Sequence, residues 1–89
     1  MSSQAKGENP LKILRTGIAK NILVKVKSGS AYVGRLVMVD STMNVVLSDC
    51  REITWNSGNL EVVADYGTVL IRGSQIVYVA INYEFEGQP

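Results

Sequence analysis

The chain has 89 residues, room for one small domain and no second core. Nine basic against eight acidic residues leave a net charge of +1, which excludes a strongly basic coat or tail, so any nucleic-acid binding must come from locally concentrated charge. One cysteine and no histidine exclude an intrachain disulfide, a cysteine-rich metal site and the histidine-based acid–base and nucleophilic arrangements.

Met1 to Glu8 is small and polar without periodicity, and reads as a disordered start with no apolar secretory core. Asn9-Pro10 opens a helix, since Asn caps and Pro suits the first helical position. Leu11, Leu14 and Ile18 recur at helical spacing as one apolar face, and Gly17 weakens the last turn, so the helix is expected to run about two to three turns at most. From Asn21 the period changes to two. Ile22, Val24 and Val26 alternate with Leu23, Lys25 and Lys27, a strand with one wetter face. Ser28-Gly29-Ser30 is a hairpin loop, and Ala31 to Asp40 is a second strand interrupted by Gly34, where a bend or close backbone approach is expected.

Asp40-Ser41-Thr42 supplies turn chemistry before a third strand, Asn44 to about Trp55. Cys50, within it, reads as a small core residue. Asn56-Ser57-Gly58-Asn59 is the clearest turn, and Leu60 to Ile71 returns as a fourth strand, disturbed at Asp65-Tyr66-Gly67. Arg72-Gly73-Ser74 turns the chain into a fifth strand, Ile76 to Ile81, apolar on both faces. No apolar run approaches the roughly 20 residues of a membrane span, and a soluble, cytoplasmic protein is expected.

One short N-terminal α-helix followed by five strands, the second bent, is an all-β fold: a small, strongly bent five-stranded antiparallel barrel. Its last two strands create a liability. Tyr66 to Ile71 and Ile76 to Ile81 are hydrophobic and almost uncharged, so as open sheet edges they would pair with another chain. With 46% hydrophobic residues in so small a chain, burial against further copies is the simplest outlet, and a head-to-tail ring leaves no edge free.

Two segments then resemble a known family. Val33-Gly34-Arg35-Leu36-Val37-Met38-Val39-Asp40-Ser41-Thr42-Met43-Asn44 resembles the first motif of the Sm-like (LSm) proteins, and Ile71-Arg72-Gly73 with the strand from Ile76 resembles the second. The resemblance covers about residues 9 to 82, which would be the Sm domain, with residues 83 to 89 as a tail. It implies the SH3-like Sm fold and a homo-oligomeric ring, usually heptameric and able to stack on a second ring. Such a ring binds single-stranded, U-rich RNA around its pore, serving RNA processing or acting as an RNA chaperone. By the same resemblance Asn44 would read a base edge, Asp40 would orient it, Arg72 would cover one base face and Gly73 would let the backbone approach, with Ser74 adding a hydrogen bond.

The chemistry of the residues suits those roles. An amide offers donors and an acceptor to an unpaired base, and a guanidinium plane stacks on a base while attracting phosphate. One position departs from the family: where an aromatic or His often stacks on the second base face, this chain has Thr42, forgoing about 1–3 kcal/mol of stacking per base. Structural readings of the same residues stay open. Asp40 and Asn44 would build an Asx turn in any hairpin. Arg72 would pair with Asp65 or Glu61 on the surface, and Met43 would belong to the core. Lys12, Arg15 and Lys20 would form a solvated helix face or a second RNA-contacting patch. A structural or protein-interaction ring with weak RNA binding is the alternative function. No catalytic residues, cofactor or metal site are expected, because Asp40, Asp49 and Asp65 fall on separate elements.

Overall fold

The computed structural model describes residues 9–81; the expectations for Met1–Glu8 and for Asn82–Pro89 lie outside the described residues. In chain order the elements are α1 (Pro10–Arg15), β1 (Asn21–Val26), β2 (Ala31–Val39), β3 (Val45–Asn56), β4 (Asn59–Ile71), a 3₁₀ turn (Gly73–Gln75) and β5 (Ile76–Ile81).

The helix begins as its sequence dictates. The Asn9 side chain accepts from the Leu11 N–H at 2.8 Å, and Pro10 follows where its missing N–H costs nothing. It ends earlier than its periodicity implies. Only six residues are helical, and Thr16 caps them, its hydroxyl donating to the Ile13 carbonyl at 2.6 Å. Leu14 is buried, but Ile18 is exposed and lies outside the apolar face expected for it. The reason is long-range. Ala19 takes a left-handed φ of 73° so that its N–H donates to the Leu36 carbonyl at 2.8 Å, while Leu36 donates back to Lys20 at 3.0 Å. Sheet hydrogen bonds to β2 thus capture the chain before a further helical turn can form.

The five strands form one antiparallel sheet in the order β4-β3-β2-β1-β5. Its bend has an identifiable line. At Gly34 in β2, an added Cβ would lie 2.9 Å from the Ser48 carbonyl oxygen and 3.2 Å from the Cys50 Cα, so only Gly admits this approach. Directly across, Asp49 adopts φ 50° and the β3–β4 register shifts on both sides of the Cys50–Gly67 pair. Gly67, with φ 86°, carries the bend into β4, at the disturbance foreseen there.

Bending buries both faces of the middle strands. One cluster gathers Leu14, Ile22, Val24, Val26, Leu36, Val39, Val45, Leu47, Cys50 and Ile71. A second lies on the reverse face, where Leu23, Ala31, Val33 and Ile53 meet Leu60, Val62 and Ala80. The wetter face assigned to β1 holds at Asn21 and Lys25 but not at Leu23, which is buried because β3 and β4 contribute Ile53, Leu60 and Val62 to that side. The edges are β4 and β5, and each keeps large apolar side chains at the surface. Tyr66 and Leu70 on β4, and Val77 and Tyr78 on β5, are each at least half exposed. Between β5 and α1 runs an apolar groove of about 520 Å³, lined by Ile13, Met43, Gly73 and Ile76 to Val79.

Candidate nucleic-acid interface

β2 ends at Val39 and β3 starts at Val45, which leaves Asp40 to Asn44 as the loop; the third strand begins one residue later than its sequence suggests, and Asn44 is freed from the ladder. Asp40 organises this loop. Its Oδ1 accepts from the Thr42 N–H and the Thr42 hydroxyl, both at 2.9 Å, and from the Asn44 N–H at 3.0 Å. Its Oδ2 accepts from Asn44 Nδ2 at 3.0 Å. The backbone closes the same turn, with Met43 N–H donating to the Asp40 carbonyl at 2.9 Å and Asp40 N–H to the Asn44 carbonyl at 3.1 Å. The Asx-turn reading is therefore correct for Asp40. Its carboxyl is exposed, yet its pKa is held below the ordinary aspartate value, chiefly by the Thr42 hydroxyl and then by the Asn44 N–H, with slight burial opposing.

A local turn does not account for Asn44. The β3–β4 register pairs Val45 with Ile71, which brings the residues just outside that pair, Asn44 and Arg72-Gly73, side by side. Asn44 Oδ1 accepts from the Gly73 N–H at 2.7 Å, across 29 positions of sequence. Gly73 is needed for this contact. A Cβ there would run into the Thr42 carbonyl oxygen and would lie 2.8 Å from the Met43 carbonyl carbon and oxygen, all of it backbone that cannot rotate away. Met43 crosses the gap with φ 67° and turns its side chain onto the main core cluster, as its structural reading holds.

Asp40, Thr42, Asn44 and Gly73 thus form one hydrogen-bonded unit joining two loops. Arg72 and Ser74 flank it, both exposed. Arg72 lines a cavity of about 310 Å³ with Leu70, Ile71 and Gln75, and with Val26 of β1 and Tyr32 of β2. The ion pairs considered for Arg72 are not formed. Glu61 accepts instead from Asn56 Nδ2 at 3.2 Å, and Asp65 stands opposite Arg51 in the ladder, both farther along β4. Lys12, Arg15 and Lys20 are exposed on α1 and the turn after it, outside the unit. Sequence reasoning missed two features. One is the bond from the Asn44 amide to a backbone N–H, for which only the motif spacing gave a sign. The other is the apolar groove, which reaches the same loops from behind through Met43 and Gly73.

The comparisons with known proteins agree with this geometry. The LSM domain family model matches residues 12–81. The U6 snRNA-associated Sm-like protein LSm6 of Pyricularia oryzae is 33% identical over 80 residues, which span 90% of this chain and 92% of that protein. Among solved structures, the Pyrococcus abyssi Sm protein in complex with a uridine heptamer is 36% identical with a TM-score of 0.74, over 83% of this chain and 99% of that one. A heptameric archaeal Sm protein is 28% identical with a TM-score of 0.66, over 79% and 96% of the two chains. The five bent strands and the short helix are the Sm fold, and the chain belongs to the LSM domain family of Sm-like proteins.

Proposed function

We propose that this chain assembles into a ring of identical subunits, seven by analogy with the heptameric relative, and binds single-stranded, U-rich RNA at its pore. The observation that carries the reading is the Asn44–Gly73 hydrogen bond, which fixes a base-reading amide beside Arg72 from two loops distant in sequence. In this reading Asn44 meets the base edge, Asp40, Thr42 and Gly73 hold it, Arg72 covers a base face, and Ser74 borders the strand's path. The role is non-catalytic and cytoplasmic, in RNA processing or as an RNA chaperone.

Assembly resolves two difficulties of the lone subunit. It covers the unpaired apolar edges of β4 and β5. It also multiplies a weak attractor, because one Arg72 on a subunit of net charge +1 does little, whereas a circle of them focuses potential on a threaded strand. Several pockets on one RNA add avidity without new contacts.

Anisotropy titrations with oligo-uridine and oligo-cytidine of equal length test the reading. Uridine should bind more tightly, and binding should weaken as salt rises. Asn44→Ala and Arg72→Ala should each reduce it while native mass measurement still finds the ring; unchanged affinity in both variants refutes the assignment. Thr42 favours a second reading, a scaffold ring with little RNA affinity, and absence of binding at tens of micromolar protein would select it.

A further inference from the structure

We propose that the tip of the β3–β4 hairpin gives a single RNA strand a second hold: Trp55 stacks on a base of any identity, and Lys25 meets the neighbouring phosphate. The inference rests on the RNA-binding reading above and adds to it a site that the loop unit does not contain.

Trp55 is not a core residue. Its side chain is 52% exposed, and among the described residues neither core cluster has it as a member or as a packing neighbour. Leu60, its partner across the hairpin, does pack on the reverse-face cluster. Exposure alone would not mark the ring, since single apolar residues are common at surfaces. Its company does. The Lys25 ammonium lies 5.5 Å from the centroid of the indole. It reaches the ring from another strand: Lys25 of β1 pairs with Ala31, and Ala31 pairs with Ile53, two residues before Trp55. An aromatic face with a cation beside it matches one nucleotide, whose base takes the ring while its phosphate takes the charge.

The surroundings suit the same ligand. Thr54, Asn56, Ser57 and Asn59 are exposed hydrogen-bonding side chains, and positions 54–60 contain no carboxylate. Glu61, the next acid along the chain, pairs with Thr54 and so stands on the opposite side of the hairpin from Trp55 and Leu60, where it accepts from Asn56 Nδ2 at 3.2 Å. An apolar protein surface would meet one aromatic in a polar rim here, whereas a nucleotide meets stacking, charge and donors together. The two holds are also well separated. Val45, beside the loop unit, opens β3, and Trp55 lies near its far end, about 33 Å on at 3.3 Å per residue before the bend shortens the path. Each subunit of the ring thus offers one strand two grips, which raises avidity. The second is indifferent to sequence, because every base has a π face.

Trp55 is the chain's only tryptophan, so its emission reports the site directly. Wild-type rings titrated with a long oligo-uridine, read by anisotropy and tryptophan emission together, should lose emission as the strand binds. A long oligo-cytidine should quench as well where it binds, since stacking does not read base edges. In rings carrying Asn44→Ala and Arg72→Ala, quenching should persist at higher RNA concentration. Trp55→Ala should weaken binding of the long strand at least about five-fold, equivalent to about 1 kcal/mol of stacking, and Trp55→Phe, which keeps a ring face, should retain most of the affinity. Lys25→Gln should flatten the salt dependence of binding, a readout that lost folding stability does not move. Binding of oligo-uridine without quenching, or unchanged affinity in Trp55→Ala, overturns the inference and leaves the RNA-binding reading standing. Failure of wild-type rings to bind any strand overturns both.

Discussion

Gly73→Ala tests the join between the two loops most directly. The new methyl group would run into the Thr42 carbonyl oxygen and would lie 2.8 Å from two backbone atoms of Met43. Nothing flexible stands in its path, so the loops must part. Overpacking of this kind costs about 1–3 kcal/mol, and losing the Gly73–Asn44 bond adds about 0.5–1.5 kcal/mol, together about 1.5–4.5 kcal/mol. The assay is urea unfolding at fixed subunit concentration, since assembly makes apparent stability depend on it, alongside oligo-uridine titration of the folded fraction. The expected result is a clear fall in midpoint and near-complete loss of RNA affinity. Gly34→Ala is the control, because its methyl group would crowd Ser48 and Cys50 at the bend, away from the amide. It should lower stability yet leave the affinity of the folded ring largely intact. If Gly73→Ala moves stability by less than about 0.5 kcal/mol and binds RNA like wild type, the joined-loop account is wrong.

Three further outcomes are expected. Val77→Asp places a charge on an exposed position of edge strand β5 and should leave the subunit folded by circular dichroism while light scattering shows the ring dissociated; an intact ring would refute edge-to-edge assembly. Asp40, with its pKa depressed, contributes stability that is present above the ordinary aspartate value of about 3.9 and is lost as pH falls through the lower folded value. The Asn44 side-chain amide resonances should therefore hold their shifts at that pH and change only below it, and a midpoint above it contradicts the pinned loop. Burial, helped by Glu52 and Asp65, pushes the Cys50 thiol up to about 11, so a disulfide reagent at pH 8 should react only after unfolding; rapid native reaction would mean that the bend at Gly34 opens.

What the sequence disclosed and what it withheld divide along one physical line. Signals between near neighbours were legible. The Asn9 cap, the Pro10 start, the Asx turn at Asp40, the hairpin at Asn56 to Asn59 and the edge character of the last strands all appear where local chemistry put them. The errors arose where a distant segment decided the outcome. Helical spacing at Ile18 lost to sheet bonds from Leu36, and alternation in β1 misread Leu23 because the reverse face is covered by residues some thirty positions later. The site shows both cases. Residue types in two motifs pointed to Asn44 and Gly73, but their bond depends on Val45 lying opposite Ile71, a register that no local pattern states. The same register removed the ion pairs considered for Arg72, since Glu61 and Asp65 sit farther along β4, opposite Thr54 and Arg51.

The groove between α1 and β5 ties assembly to recognition. It is apolar, it lies along the unpaired edge of β5, and Met43 and Gly73 form part of its wall. Those two residues also hold the loop unit from behind: Met43 by packing on the core through its left-handed backbone, Gly73 by donating to Asn44. In the proposed ring a neighbouring edge strand would cover this groove and so brace Met43 and Gly73 from the side opposite the base. In a lone subunit the same wall faces water, and the amide is held by a 3₁₀ turn of three residues. Short 3₁₀ segments have poorer hydrogen-bond geometry than α-helix, so that turn is a weak anchor without a covering chain. In the proposed ring, closure would then do more than gather pockets around a hole, because it would stiffen the backbone on which each pocket depends.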